Sequence, residues 1–142
     1  MKIVIGCDHA GFELKNYVLS YFNDKGIEWV DVGTFSKDSM DYPDIAHPVA
    51  VLVEKKEFEF GVLICGSANG VAITANKHAQ IRAAICWTNE IASLARQHND
   101  ANIICLPARF VEKDAAVEML DTFFNTKFEG GRHQNRVQKI DC

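Results

Sequence analysis

A cysteine followed by a run of small residues is the feature of this sequence that most clearly indicates chemistry. Cys65 ends an apolar stretch and precedes Gly66, Ser67, Ala68, Asn69 and Gly70, after which a helical pattern begins. Loops of this kind expose backbone N–H groups, which stabilise negative charge on a thiolate, a phosphate or an enediolate. A lone cysteine at a strand end is more often a small buried apolar residue, so a reactive Cys65 needs partners from elsewhere in the chain.

The loop after Cys65 lacks three familiar phosphate-binding motifs. Ala68 stands where the dinucleotide fingerprint G-x-G-x-x-G has its second glycine, and the G-K-[ST] ending of a Walker loop is absent. A cysteine phosphatase of the C-x5-R kind needs arginine at the position of Val71. These three classes of activity are therefore disfavoured.

Histidines and their polar neighbours supply further candidates at two places in the chain. Asp8 and His9 follow an apolar run, where they could bind a sugar hydroxyl and a phosphate or simply hydrogen-bond a turn. His98 and Asn99 end a predicted helix, where a histidine can also do no more than complement the helix dipole. Spacing alone leaves both alternatives open at each place.

Arginines near the end of the chain could bind an anion. Arg132 and Arg136 are four residues apart, so a helical turn points both guanidinium groups the same way, and Arg109 follows the last predicted strand. A solvated basic tail is the ordinary alternative. The five histidines show neither H-x3-H nor H-E-x-x-H spacing, so we predict no metal site. We also expect no cofactor.

The elements that position these residues alternate between strand and helix patterns. Predicted strands cover residues 3–7, 29–32, 62–65, 82–87 and 103–106, and predicted helices cover residues 11–25, 45–55, 71–77, 88–98 and 112–124. Thr88 is the predicted N-cap of the fourth helix. This alternation predicts a single α/β domain with a five-stranded parallel sheet and helices on both faces, flavodoxin-like or Rossmann-like, in the order 2-1-3-4-5.

The predicted topology decides which candidates meet. Strands 1 and 3 are neighbours in this order, so the loops at residues 7–11 and 65–70 face one crevice. His98 lies at the end of a helix that returns to the opposite edge of the sheet, away from Cys65 of its own chain. If His98 is catalytic, we expect it to serve a neighbouring subunit, which makes an isologous dimer part of the active site.

Length, composition and charge limit which classes of protein this chain can belong to. A chain of 142 residues with 48% hydrophobic residues is predicted to form one domain, 1–142, whose basic tail, 127–142, contributes to the site. A net charge of -4 argues against a nucleic-acid surface. Five cysteines, an odd number without a C-x-x-C pair, predict a reducing compartment. Without a signal peptide or membrane span, we expect a cytoplasmic protein that does not contact a membrane.

Five segments in this order resemble ribose-5-phosphate isomerase type B. They are Cys7-Asp8-His9-Ala10-Gly11, Asp41-Tyr42-Pro43, Ile64-Cys65-Gly66-Ser67 with Ala75-Asn76-Lys77, Arg96-Gln97-His98-Asn99-Asp100, and Glu129-Gly130-Gly131-Arg132-His133 through Arg136-Val137. The resemblance covers essentially the whole chain. It implies metal-independent interconversion of ribose 5-phosphate and ribulose 5-phosphate, in the non-oxidative pentose phosphate pathway, by a homodimer or a dimer of dimers with shared sites.

The resemblance also implies roles for single residues. Cys65 moves a proton between C1 and C2, and His98 assists ring opening. The loop from Gly66 through Ser67, Ala68 and Asn69 to Gly70 forms the anion hole, while Asp8 and Asn99 bind sugar oxygens. The phosphate lies among His9, Arg109, Arg132 and Arg136, and Tyr42 lines the pocket together with Ser67.

Two departures from the family pattern keep alternatives open. The family usually has threonine and glycine where this chain has Ser67 and Ala68, and the Cβ of Ala68 resists a positive φ. Some relatives use a glutamate at the position of Val71 instead of the cysteine, so this chain is expected to use its thiol.

The alternatives are an isomerase of a six-carbon sugar phosphate (allose 6-phosphate or galactose 6-phosphate), a non-catalytic phosphate-binding module and, last, a redox thiol protein.

Overall fold

A single parallel sheet forms the centre of the fold. The computed structural model describes residues 1–141, and its strands are β1 (Lys2–Cys7), β2 (Glu28–Asp31), β3 (Phe60–Cys65), β4 (Ala83–Ile85) and β5 (Ile103–Pro107). Their spatial order is β2-β1-β3-β5-β4, and each neighbouring pair is parallel. The predicted α/β class, the number of strands and their direction are confirmed.

The predicted position of the last two strands is wrong. The order 2-1-3-4-5 places the fifth strand at the edge, whereas in the structure β5 lies between β3 and β4. All five residues of β5 are buried, while β4 has only three residues, all partly exposed. The longer, wholly apolar strand therefore takes the inner position, where both of its edges are paired.

Helices cover both faces of the sheet, as predicted. A 3-10 turn (His9–Gly11) leads into α1 (Phe12–Tyr21), and the other helices are α2 (Pro43–Glu54), α3 (Asn69–Ala75), α4 (Asn89–Asn99), α5 (Lys113–Asn125) and α6 (Arg132–Gln138). α1 is shorter than predicted and α3 begins two residues earlier. Thr88 caps α4 as predicted, since its hydroxyl accepts a 3.2 Å hydrogen bond from the Ile91 N–H.

Alternate strand residues divide the core into two layers. Ile3, Ile5, Val62 and Ile64 face α1, α4 and α5, while Val4, Leu63 and Cys65 face α2 and α3. This period of two is the expected consequence of a strand buried on both faces. Among residues 1–141, no helix combines the length and apolar composition needed to cross a membrane.

A buried ion pair fixes the loop that follows β2. Lys15 on α1 is fully buried, and its Nζ contacts Asp31 Oδ1 at 2.7 Å and donates to the carbonyl oxygen of Thr34. The same Asp31 oxygen accepts a hydrogen bond from the Gly33 N–H at 2.9 Å. Gly33 and Thr34 in turn hydrogen-bond the backbone of Cys7, so this ion pair holds the β2 loop against the end of β1.

We predict that Lys15→Met lowers the free energy of unfolding by about 3 kcal/mol, because it leaves the Asp31 carboxylate without its buried partner. Methionine keeps most of the aliphatic stem, so the change isolates the charge. Urea denaturation followed by circular dichroism measures the effect. Lys37→Met, at an ion pair with Glu13 whose side chains are both 66% exposed, is the control and should change stability little. Equal effects of the two substitutions would contradict the prediction.

Candidate active site

Cys65 lies at the carboxyl end of β3, where the chain turns sharply. The residue is 5% exposed, and its Sγ accepts a 3.1 Å hydrogen bond from the backbone N–H of Ala68. Ala68 itself has a left-handed backbone, with φ 64°. An L-residue in this conformation carries roughly 1–2 kcal/mol of steric strain. The loop thus keeps the conformation that glycine favours although the side chain is alanine.

The surroundings of Cys65 act on its charge in opposite directions. Burial raises the pKa of the thiol above its ordinary value, and the negative charge of Asp8 raises it as well. Backbone N–H groups of Val71, Ala68 and Ser67 lower the pKa. The uncharged thiol therefore predominates at neutral pH, while donors that stabilise a negative charge are already in place around it.

The end of β1 lies beside the Cys65 loop, as the predicted topology required. The Asp8 N–H donates to the carbonyl oxygen of Ile64 at 3.1 Å. Asp8 Oδ1 accepts hydrogen bonds from Ala10 and Gly11 at 2.9 and 3.1 Å, which hold the carboxylate at the start of the 3-10 turn. A Cβ at Gly11 would lie 2.6 Å from the Ile64 carbonyl oxygen, so only glycine allows this approach.

The loop after β5 forms a second wall of the crevice. Its backbone N–H groups at Ala108 and Arg109 donate to the carbonyl oxygens of Cys65 and Gly66 at 2.8 and 3.1 Å. The Arg109 guanidinium lies against Gly66, where a Cβ would be 3.0 Å from both Cζ and Nη1. Arg109 therefore places an exposed positive charge directly over the small-residue loop.

His9 and Tyr42 close the remaining side. The Met40 N–H donates to His9 Nδ1 at 3.3 Å, which leaves Nε2 as the protonated nitrogen of the neutral ring. The Tyr42 ring covers Gly70 so closely that a Cβ there would lie 2.5 Å from the ring carbon Cζ. Gly70 is thus required by contact with an aromatic ring, and Tyr42 lies over the small-residue loop.

Ser67 and Asn69 form the exposed rim of the small-residue loop. Ser67 Oγ accepts hydrogen bonds from the Asn69 backbone N–H at 3.4 Å and from Asn69 Nδ2 at 3.2 Å. The structure therefore brings the following predicted site residues together at one edge of the sheet: Asp8, His9, Tyr42, Cys65, Gly66, Ser67, Ala68, Asn69, Gly70 and Arg109.

The other predicted site residues lie at the opposite edge. His98 and Asn99 end α4, which leads to Ile103 at the start of β5, whereas Cys65 pairs with Pro107 at the end of β5. At about 3.3 Å per strand residue, these two edges are about 13 Å apart. Arg132 and Arg136 belong to α6, which packs on α4. One chain alone therefore does not bring His98 to its own Cys65.

A cluster of three side chains surrounds the end of α4. The His98 and His133 rings stack 4.1 Å apart and within 11° of parallel. Glu129 Oε2 lies 4.0 Å from His98 Nε2 and 3.6 Å from His133 Nε2, and the Glu129 N–H donates to the Gln97 carbonyl oxygen. Burial, followed by the positive charges of neighbouring groups, lowers the pKa of His133. Sequence reasoning did not assign a site role to Glu129 or His133, because only the turn at Gly130 and Gly131 and the packing of α6 on α4 bring them beside His98.

Exposed apolar side chains lie next to the Cys65 loop. Ile85, Trp87 and Phe110 line a shallow depression with Ser67, Asn69 and Pro107. Trp87 is 55% exposed and Phe110 is 74% exposed. Ile73, which lies near Ile85, continues this apolar surface along the sheet edge formed by β4. Contiguous exposed apolar surface of this kind is typical of an interface with another protein chain.

Comparisons with known proteins point to one family. Residues 3–140 match the family described as Ribose/Galactose Isomerase. Ribose-5-phosphate isomerase B of Escherichia coli is 43% identical over 139 residues, which cover 98% of this chain and 93% of the relative. The crystal structure of a Thermotoga maritima ribose 5-phosphate isomerase is 48% identical, with a TM-score of 0.97 over 99% of this chain and 97% of that one. A Mycoplasma genitalium ribose-5-phosphate isomerase B with bound ribulose-5-phosphate is 41% identical, with a TM-score of 0.94 over 98% and 93%.

We predict that alkylation of Cys65 by iodoacetamide is slow at neutral pH and accelerates about tenfold per pH unit up to pH 9, since only the thiolate reacts. The sign follows from the raised pKa, because the thiolate fraction increases with pH until the pKa is reached. Peptide mass spectrometry measures the rate at each cysteine separately. Asp8→Asn removes a negative charge and should accelerate alkylation at a fixed pH.

Cys86 is the internal control for this experiment, because burial raises its pKa to about 12. It should stay unmodified in the folded protein throughout the same pH range. A Cys65 rate at pH 7 equal to that of the urea-unfolded chain, or one that does not change with pH, would contradict the prediction.

Proposed function

The chain belongs to the ribose/galactose isomerase family, and we propose that it interconverts ribose 5-phosphate and ribulose 5-phosphate with Cys65 as the base. The observation that carries the chemical part of this proposal is the Cys65 thiol, held among backbone N–H groups at the carboxyl end of β3. The Escherichia coli relative carries the name of this activity, and the Mycoplasma genitalium relative was solved with the ketose product.

The proposed reaction moves one proton between neighbouring carbons. The Cys65 thiolate takes the proton from C2 of the open-chain aldose, and the C–H electrons form a C1–C2 double bond as the carbonyl electrons move to O1. The thiol then returns the proton to C1 while O1 gains a proton and O2 loses one, which gives the ketose. Backbone N–H groups near Cys65 stabilise the oxyanion, and because the loop fixes them, they need little reorganisation.

Groups around the crevice account for binding of the rest of the substrate. Asp8 is fixed by two backbone N–H groups and can accept a hydrogen bond from a sugar hydroxyl. His9 and Arg109 present a ring N–H and a guanidinium to an anionic group. Phosphate binding at a distance from C1 and C2 orients the reacting carbons toward the sulfur.

The separation of the two groups of site residues supports a dimer with shared active sites. Cys65 and His98 of one chain lie at opposite edges of the sheet, and the length of β5 separates these two edges by about 13 Å. A second copy that covers the exposed surface of Ile85, Trp87 and Phe110 can bring its own α4 and α6 to the crevice. The partner's His98, Asn99, Arg132 and Arg136 then assist ring opening and bind the sugar and phosphate.

The state of the cysteines supports a cytoplasmic location. Cys7, Cys65, Cys86 and Cys105 are free thiols and are buried. Free thiols persist in a reducing compartment, which the cytoplasm provides. The proposed location also matches that of pentose phosphate metabolism, in which this reaction takes part.

We predict that Cys65→Ala lowers kcat for ribose 5-phosphate by about a thousandfold, because it removes the base while the phosphate contacts remain. KM should change much less than kcat. The rate of ribulose 5-phosphate formation is the measurement, and Cys86→Ala, which removes another buried thiol, is the matched control. Activity of Cys65→Ala close to that of Cys86→Ala would contradict the proposal. Faster turnover of allose 6-phosphate or galactose 6-phosphate would instead assign a six-carbon substrate.

We also predict that two inactive variants complement each other. Cys65→Ala and His98→Asn, coexpressed with different affinity tags, form mixed dimers in which one of the two shared sites has both groups. In an equal, random mixture, about half of the dimers are mixed, and each of these has one complete site out of two. Such a mixture should therefore recover about one quarter of the wild-type activity. Tandem purification on both tags isolates the mixed dimer, so the test does not depend on how far the subunits exchange. An inactive mixed dimer would show that each chain uses its own Cys65 and His98.

A further inference from the structure

We propose that His98, Glu129 and His133 bind a zinc ion that inhibits the enzyme. These three residues, called the α4 cluster below, offer two imidazole nitrogens and one carboxylate oxygen, all within 4.8 Å of one another. Two histidines and one glutamate form a donor set that binds zinc and leaves a fourth position open. Binding of the ion is independent of the proposed function, whereas inhibition rests on it.

The distances in the α4 cluster are close to those that a zinc ion needs. Ligand atoms at about 2.1 Å from a tetrahedral ion lie about 3.4 Å apart. Glu129 Oε2 is 3.6 Å from His133 Nε2 and 4.0 Å from His98 Nε2, so the carboxylate oxygen is already close to that spacing from both nitrogens. Because the two rings stack within 11° of parallel, at least one imidazole must rotate about its side-chain torsions before both Nε2 lone pairs point at one ion.

The backbone holds the three ligands in place. The Glu129 N–H donates to the Gln97 carbonyl oxygen at 3.1 Å, which ties the segment before α6 to the end of α4. Gly130 and Gly131 have φ of 67° and 55°, and this turn places Glu129 beside His133 at the start of α6. His98 and Glu129 have side chains 38% and 51% exposed, so an ion can reach the cluster from solvent.

Charge and protonation set the expected strength of binding. A ligand nitrogen must be free of its proton to bind the ion, so zinc affinity should fall as the pH is lowered. Glu129 supplies one negative charge, whereas Arg132 and Arg136 on the same segment oppose a cation. We therefore expect reversible binding at micromolar zinc, and no binding of magnesium, which prefers oxygen ligands.

Zinc in the α4 cluster has a chemical consequence for the proposed isomerase. The ion occupies the Nε2 lone pair of His98, so the imidazole can no longer exchange a proton with a sugar oxygen during ring opening. It also places a positive charge near the phosphate-binding arginines. Inhibition should therefore be reversed by a chelator, and it should weaken when excess sugar phosphate occupies the site.

Isothermal titration calorimetry of EDTA-treated, full-length protein with zinc chloride tests the proposal directly. We expect one zinc ion per chain, and Glu129→Gln and His133→Gln should each weaken binding by at least about tenfold. His47→Gln is the matched control, because His47 Nδ1 and His78 Nε2, 2.7 Å apart, form another close imidazole pair. Its affinity should equal that of the wild type, as should the affinities of Cys65→Ala and Cys142→Ser.

The outcomes separate this proposal from the proposed function. Loss of zinc binding in His47→Gln or in a cysteine variant, with retention in His133→Gln, would assign the ion elsewhere and overturn the proposal. Absence of binding up to millimolar zinc would also overturn it, even if the EDTA-treated protein isomerises ribose 5-phosphate. If the wild type lacks isomerase activity but shows the expected calorimetry, the zinc site stands and only inhibition loses its basis. Where activity is present, zinc should inhibit the wild type and leave the residual activity of Glu129→Gln unchanged.

Discussion

The parallel register of β1, β3 and β5 is the constraint on which the candidate site depends. It brings the ends of three strands to one edge, where Cys65 is the last residue of β3, and Asp8 and Arg109 follow β1 and β5 by one and two residues. The loops then hydrogen-bond one another through Asp8, Ala108 and Arg109, so they form one connected wall. A shift of β3 by one residue would turn Cys65 away from α2 and α3 and separate it from these donors.

The same register explains why one chain holds only part of the proposed site. Each helix that follows a strand returns to the opposite edge before the next parallel strand begins, so α4 must deliver His98 to the edge away from Cys65. The C-terminal segment adds further residues to the edge where His98 lies, because α6 packs on α4. These residues are Arg132, His133 and Arg136. In the proposed isologous dimer, the Cys65 edge of each chain meets the His98 edge of the other chain. The two-fold symmetry then forms two complete sites.

Much of this arrangement could be predicted from the sequence, for identifiable physical reasons. Strong strand and helix periodicity predicted the α/β class, and the adjacency of strands 1 and 3 placed Asp8 beside the Cys65 loop. The order of β4 and β5 was wrong because local patterns do not show which of two short apolar strands is paired on both edges. The stacking of His98 on His133 joins residues 35 positions apart, and only the packing of α6 on α4 brings them together.

The left-handed conformation of Ala68 illustrates how the site uses strain. The surrounding loop holds this residue in a conformation that costs an L-residue free energy, and the N–H of the same residue donates to Cys65 Sγ. The donors that favour a thiolate are also close to the substrate oxygens in the proposed reaction. When the proton moves from carbon to sulfur, negative charge leaves the sulfur and develops on the oxyanion within the reach of the same loop. In the proposed reaction, the loop therefore stabilises negative charge before and after proton transfer, which lowers the reorganisation that this reaction requires.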